Sequence, residues 1–132
     1  METIHILHLE DDFCLAEFVR ISLKRSNSHF EIQWVDTKEK FEDALLNPNL
    51  DIILADYNIP GYNALTAIQA TKQKKPDLPF IVFSGVIDEK EMLDLLQAGA
   101  TNCITKDSLE QLESAIHKAL KKAVEKNKTT GN

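Results

Sequence analysis

Ile52-Ile53-Leu54-Ala55-Asp56-Tyr57-Asn58-Ile59-Pro60-Gly61 is an apolar run that ends in a carboxylate and opens into a turn. Four apolar residues without polar alternation fit a central strand covered on both faces. A second run, Ile4-His5-Ile6-Leu7-His8-Leu9, ends in Glu10-Asp11-Asp12. Two strands that both finish in carboxylates can bring them side by side at one rim of a parallel sheet. That rim is where open α/β sheets bind their ligands.

Outward from these runs, strand and helix patterns alternate. Leu15, Phe18, Val19 and Leu23 are spaced as a helical face that Asp12 or Asp11 can cap. Residues 30–35 read as a strand, and Thr37 caps a helix carrying Phe41, Ala44 and Leu45 before Asn47-Pro48-Asn49 closes the unit. Residues 64–70 read as a helix ended by Lys74-Lys75-Pro76-Asp77, and residues 80–83 as the fourth strand. Residues 89–97 form a helix with Met92, Leu95 and Leu96 on one side and Gly99 as its stop. Residues 103–105 are a short fifth strand, and Leu109, Leu112, Ile116, Ala119, Leu120 and Val124 mark a last amphipathic helix.

Five β-α units joined by right-handed crossovers predict one doubly wound α/β domain: a five-stranded parallel sheet with helices on both faces. Its expected extent is residues 1–124, with 125–132 a polar tail that frays at Thr129-Thr130-Gly131-Asn132.

At 132 residues the chain fits a single domain, and 43% hydrophobic with 27% charged residues is ordinary globular composition. A net charge of −6 argues against nucleic acid as ligand. The lysine-rich stretch 121–128 reads as a solvated helix end. Cys14 and Cys103 make neither a metal spacing nor a disulfide framework, which suits a reducing compartment. No apolar stretch approaches the ~20 residues of a membrane span. Glu2, His5 and His8 are wrong for a signal peptide. The expected location is cytoplasmic, as a whole protein or as a piece of a longer one.

In a parallel sheet Glu10 and Asp11, Asp56, Ser84 and Lys106 all fall at strand ends on one rim. The three carboxylates outnumber the one ammonium by two charges. Two carboxylates ~4 Å apart repel by ~4 kcal/mol at an effective dielectric of 20, so such a cluster raises a carboxyl pKa or recruits a divalent ion. All-oxygen ligands suit Mg²⁺, which keeps several waters. Asp56 is then the natural phosphoacceptor, with Mg²⁺ and Lys106 neutralising phosphoryl oxygens and Ser84 donating a hydroxyl. Asn58 can offer its backbone carbonyl to the metal, and Gly85 leaves room for a water or donor. Asp12 reads as a helix cap and not a ligand.

These motifs, with Phe80-Ile81-Val82-Phe83-Ser84-Gly85, Ala98-Gly99-Ala100 and Ile104-Thr105-Lys106, resemble the two-component response-regulator receiver domain over residues 4 to about 124. The resemblance implies a flavodoxin-like strand order 2-1-3-4-5. It implies that Glu10 and Asp11 hold Mg²⁺, with Asp11 the more direct ligand. Asp56 would take its phosphoryl group from a sensor histidine kinase or phosphotransfer protein, and Ser84 and Lys106 would sense it. The domain would act as a phosphorylation switch on a downstream protein target, through the fourth helix, fifth strand and fifth helix. It would not be an enzyme beyond its own phosphorylation and slow dephosphorylation, with no attached output domain, no nucleic acid or membrane partner, and no particular oligomeric state implied. Two departures stand out. Cys103 occupies a position often held by Tyr or Phe, whose ring turns inward on activation, and Asp107 follows Lys106 where Pro is common. Asp107 or Ser108 can cap the last helix instead.

Other readings are plainer. His5 and His8, three apart on a strand, face opposite ways and make no ligand pair. His29 and His117 read as structural or surface residues, and Trp34 and the phenylalanines as core. An aspartyl-nucleophile phosphatase commonly needs a second acid two residues on, where Asn58 stands. A pure docking adaptor is expected to lack a site residue, and none is missing.

Overall fold

The computed structural model describes residues 2–85 and 87–130, with side chains through residue 125. Five parallel strands form its sheet: β1 (Thr3–Leu9), β2 (His29–Val35), β3 (Ile52–Ala55), β6 (Phe80–Ser84) and β7 (Asn102–Thr105). A short antiparallel hairpin, β4 (Asn58–Ile59) with β5 (Tyr62–Asn63), lies outside it. The sheet order is β2-β1-β3-β6-β7, which among the five sheet strands alone is the expected 2-1-3-4-5.

Alternation along β1 shows how both faces become core. Leu7 and Leu9 pack with Phe41, Ile68 and Leu95, from α2 (Lys38–Ala44), α3 (Ala64–Lys74) and α4 (Glu89–Ala98). Ile6 packs on the other side with Val19, Leu23 and Ile116, from α1 (Phe13–Lys24) and α5 (Leu112–Thr130). A strand buried on both sides cannot afford polar alternation, which is why Ile52–Ala55 reads as continuous apolar sequence.

Local chemistry sets the helix ends. Asp12, Thr37, Asn63 and Asp88 each accept from a backbone N–H three residues on. Asp88 and Glu91 complete a reciprocal capping box. Gly99 ends α4 at φ +122°, a region L side chains avoid.

The structure departs from expectation at four places. The turn after Asp56 is a hairpin around Pro60-Gly61, with Gly61 at φ +75° supplying the positive dihedral that follows proline in a type II turn. Phe13 is 59% exposed, Phe18 62% and Trp34 39%, so none of the three is core. Residues 106–111 form a 3-10 segment ahead of α5. There the Asp107 and Ser108 side chains meet the Thr105 hydroxyl. Finally, α5 (Leu112–Thr130) is helical at Thr129-Thr130, where fraying is the expectation; Gly131 and Asn132, also expected to fray, lie outside the described residues. No helix among the described residues is long and apolar enough to cross a membrane.

Candidate functional site

Adjacent strands β1 and β3 run in register, Leu9 beside Ala55, so the residues that follow them meet. Asp56 N donates to Leu9 O at 3.0 Å, and Glu10 N to Val35 O at 3.0 Å. Glu10 is 1% exposed and Asp56 9% exposed. Lys106, just past β7, reaches across the end of β6. Its Nζ lies 3.3 Å from Asp56 Oδ2 and 3.3 Å from Glu10 Oε1. Asp11 completes the group from the exposed side: one carboxylate oxygen each from Glu10, Asp11 and Asp56 lie within 4.8 Å of one another.

The electrostatics follow from burial. The Glu10 carboxyl is pushed up to about 7, first by burial and then by the Asp56 charge, against the Asp12 N–H and Lys106, which favour its ionised form. Burial acts to lower the Lys106 pKa, but the Glu10 and Asp56 carboxylates prevail and raise it. Glu10 Oε2 accepts from Asp12 N at 3.1 Å, whereas the buried Oε1 has Lys106 only at ion-pair distance and no hydrogen bond. A buried carboxylate oxygen left in that state, facing two other carboxylates, fits a hard cation.

The remaining expected residues fall on the same rim. Ser84 ends β6, the strand between those leading to Asp56 and Lys106, and is buried. Gly85 follows it into open space: a Cβ built there meets nothing within 4 Å. Room beside Ser84 therefore does not depend on glycine. Asn58 opens the hairpin two residues after Asp56, with its side chain exposed. Cys103 is half-buried against the α2–α4 side. His117 is tied to the loop before β2, its Nε2 2.9 Å from Ser28 Oγ and 3.6 Å from Glu113 Oε2, a structural position as expected.

One site contact was not legible beforehand. The Trp34 indole Nε1 donates to the Glu10 carbonyl at 2.7 Å, and its ring meets Phe13 edge-on at 5.6 Å. A tryptophan on β2 in register with β1 is the signal, visible only once the pairing of His8 with Trp34 is known.

Comparison with known sequences agrees with this geometry. The family profile of the response regulator receiver domain matches residues 6–117. The chain belongs to that family. Among relatives of this receiver domain, response regulator ArlR of Staphylococcus saprophyticus is 31% identical over 123 residues, 92% of this chain and 54% of that protein. Cell cycle response regulator CtrA of Brucella ovis is 25% identical over 121 residues, 91% of this chain and 51% of that protein. The chain thus spans about half the length of the curated relatives it matches. The non-phosphorylated HemR receiver domain from Leptospira biflexa is 27% identical, with a TM-score of 0.73 over 86% of this chain and 94% of that one. The receiver domain of a LuxO-type repressor protein from Vibrio parahaemolyticus shares the fold at TM-score 0.85 and 18% identity, covering 99% and 100% of the two chains. The protein is a receiver domain of two-component signalling, a family that binds Mg²⁺ at an acidic pocket such as that of Glu10, Asp11 and Asp56.

Proposed function

We propose that Asp56 is the phosphoacceptor and that its phosphorylation switches protein contacts. The observation that carries this reading is the single ammonium of Lys106 held 3.3 Å from both Asp56 Oδ2 and Glu10 Oε1, in a pocket with an excess of carboxylates. Asp11, Glu10 and Asp56, with the Asn58 carbonyl, would hold Mg²⁺. When bound, the ion supplies positive charge to phosphoryl oxygens that would otherwise be repelled by the site.

An Asp56 oxygen attacks the phosphorus of a phosphohistidine on a sensor kinase or phosphotransfer protein. The new O–P bond forms as the P–N bond breaks, and the imidazole leaves with the electron pair and takes up a proton. Lys106 then exchanges its Asp56 partner for a phosphoryl oxygen, and Ser84 donates its hydroxyl to another. Attack by water on the acyl phosphate reverses the state slowly. Asn58, an amide where aspartyl phosphatases commonly carry an acid, provides no general acid or base, which supports a switch over a turnover enzyme.

Ser84 and Lys106 end or follow β6 and β7, so their turn toward a phosphoryl group on Asp56 pulls on the segments leading to α4 and α5 and alters the surface offered to a downstream protein. Cys103 is too small to fill the volume swept by an aromatic ring, so the switch operates without that rotation. The receiver unit is taken as residues 1–124, working in the cytoplasm where phosphohistidine donors are made.

The test is to incubate the protein with Mg²⁺ and acetyl phosphate and to follow intact mass. One phosphoryl group is expected on the native chain and none on Asp56→Asn. Equal labelling of the two defeats the assignment.

A further inference from the structure

β1 carries a histidine at a core position. His8 is 0% exposed, and neither Nδ1 nor Nε2 has a hydrogen-bond partner among the described residues. The other buried side-chain polar atom without a hydrogen bond, among the described residues, is Oε1 of Glu10, which has Lys106 Nζ beside it at ion-pair distance, 3.3 Å. Histidine and glutamate are two residues apart, so on extended backbone they point to the same face, ~7 Å apart along the chain.

The neighbouring strands define that face further. His8 pairs with Trp34 on one side and Leu54 on the other. Trp34 donates its indole N–H to the Glu10 carbonyl. Asp56 lies two residues beyond Leu54, on the same side of the sheet. His8 therefore stands on β1 one same-face position before Glu10, beside the strand that leads to Asp56. An imidazole sealed from water with no carboxylate bonded to it is held neutral by the cost of burying a charge, and carries one N–H and one acceptor nitrogen.

Leaving polar atoms unpaired in a core costs stability, and a leucine at this position would avoid that cost. Buried polar groups without a protein partner are ordinarily met by an ordered water. We propose that His8 is a positioning residue of the acidic site, its ring N–H acting through one enclosed water on Glu10 Oε1 and keeping that carboxylate turned toward the metal position. Glu10 Oε2 is already fixed by Asp12 N at 3.1 Å, so a hold on Oε1 removes the remaining rotation of the group. The inference rests on the reading of Glu10 as a Mg²⁺ ligand.

The experiment uses the full chain and compares native protein with His8→Leu and His8→Gln. Mg²⁺ affinity is measured by titration calorimetry, and stability by urea unfolding in EDTA. The expected result is a roughly tenfold loss of Mg²⁺ affinity in His8→Leu, the usual scale for an outer partner of a metal ligand. Its metal-free unfolding midpoint should equal or exceed that of native protein, because an apolar side chain replaces a buried polar ring in the core. His8→Gln, which restores a donor, should recover most of the affinity. Native-like Mg²⁺ binding by His8→Leu overturns the proposal. So does a loss of affinity that tracks a loss of stability and is not recovered by glutamine. Should His8→Leu fail to fold, ring-nitrogen NMR of native His8 decides: a resonance that moves on adding Mg²⁺ supports the proposal, and one that stays overturns it. Absence of Mg²⁺ binding by native protein would instead bring down the phosphoacceptor reading itself.

Discussion

The indole of Trp34 donates to the Glu10 main-chain carbonyl at 2.7 Å, joining the edge strand β2 to the residue that begins the acidic site. A half-exposed tryptophan thus acts as a brace for a fully buried carboxylate. Trp34→Phe keeps the ring and removes the donor, so the expected loss is about 1 kcal/mol of stability. As the chain has a single tryptophan, its emission should also change on Mg²⁺ addition, and fluorescence titration checks this.

Lys106 both neutralises carboxylates and, in the phosphorylated state, meets the phosphoryl group. Lys106→Met should slow phosphorylation by acetyl phosphate on the order of 100-fold, the scale seen when a preorganised charge partner is removed. Mg²⁺ affinity should rise at the same time at alkaline pH, because a competing cation has left the pocket. Opposite signs in labelling rate and calorimetric affinity distinguish this from simple unfolding.

Glu10 sets a pH window. Its carboxyl is raised by burial from the usual 4.5 to about 7. Below the unfolded value both states hold the proton, and nothing is gained or lost. Between the two values the folded state keeps a proton that the unfolded chain has released, so metal-free stability should decline as pH rises through that interval. Bound Mg²⁺ favours the ionised form, so affinity should weaken as pH falls through 7 and binding there should release a proton. Titration calorimetry in buffers of differing ionisation enthalpy measures that release.

Phe18 and Phe41 look alike in sequence and differ in the fold. Phe41 is fully buried among the α2–α4 side of the sheet, and Phe18 faces solvent from α1. Phe41→Ala should cost about 3–5 kcal/mol, whereas Phe18→Ala should stay within about 0.5 kcal/mol. Urea unfolding of the two variants compares them directly.

The readable parts of this protein are those decided by short-range rules. Continuous apolar residues at 52–55 announce a doubly covered strand, and Asp12, Thr37 and Gly99 mark helix ends because capping involves only a few neighbouring residues. Helical spacing, by contrast, placed Phe18 with Val19 and Leu23. It could not locate the edge of the buried arc, because that edge depends on how α1 rolls against β1 and β2. Nor did it reveal the hairpin after Asp56, since strands of two residues have no period to detect.

The sequence by itself determined the alternation of strands and helices, the acidic and basic residues that end the strands, and the family they belong to, because each is a property of the chain's local order. Tertiary structure alone decided that Lys106 crosses β6 to reach both Asp56 and Glu10, that Trp34 braces Glu10, and that His8, on the strand leading to Glu10, is fully buried. Those relations join residues far apart in the chain, and they exist only once strand order and register bring them to one face of the sheet.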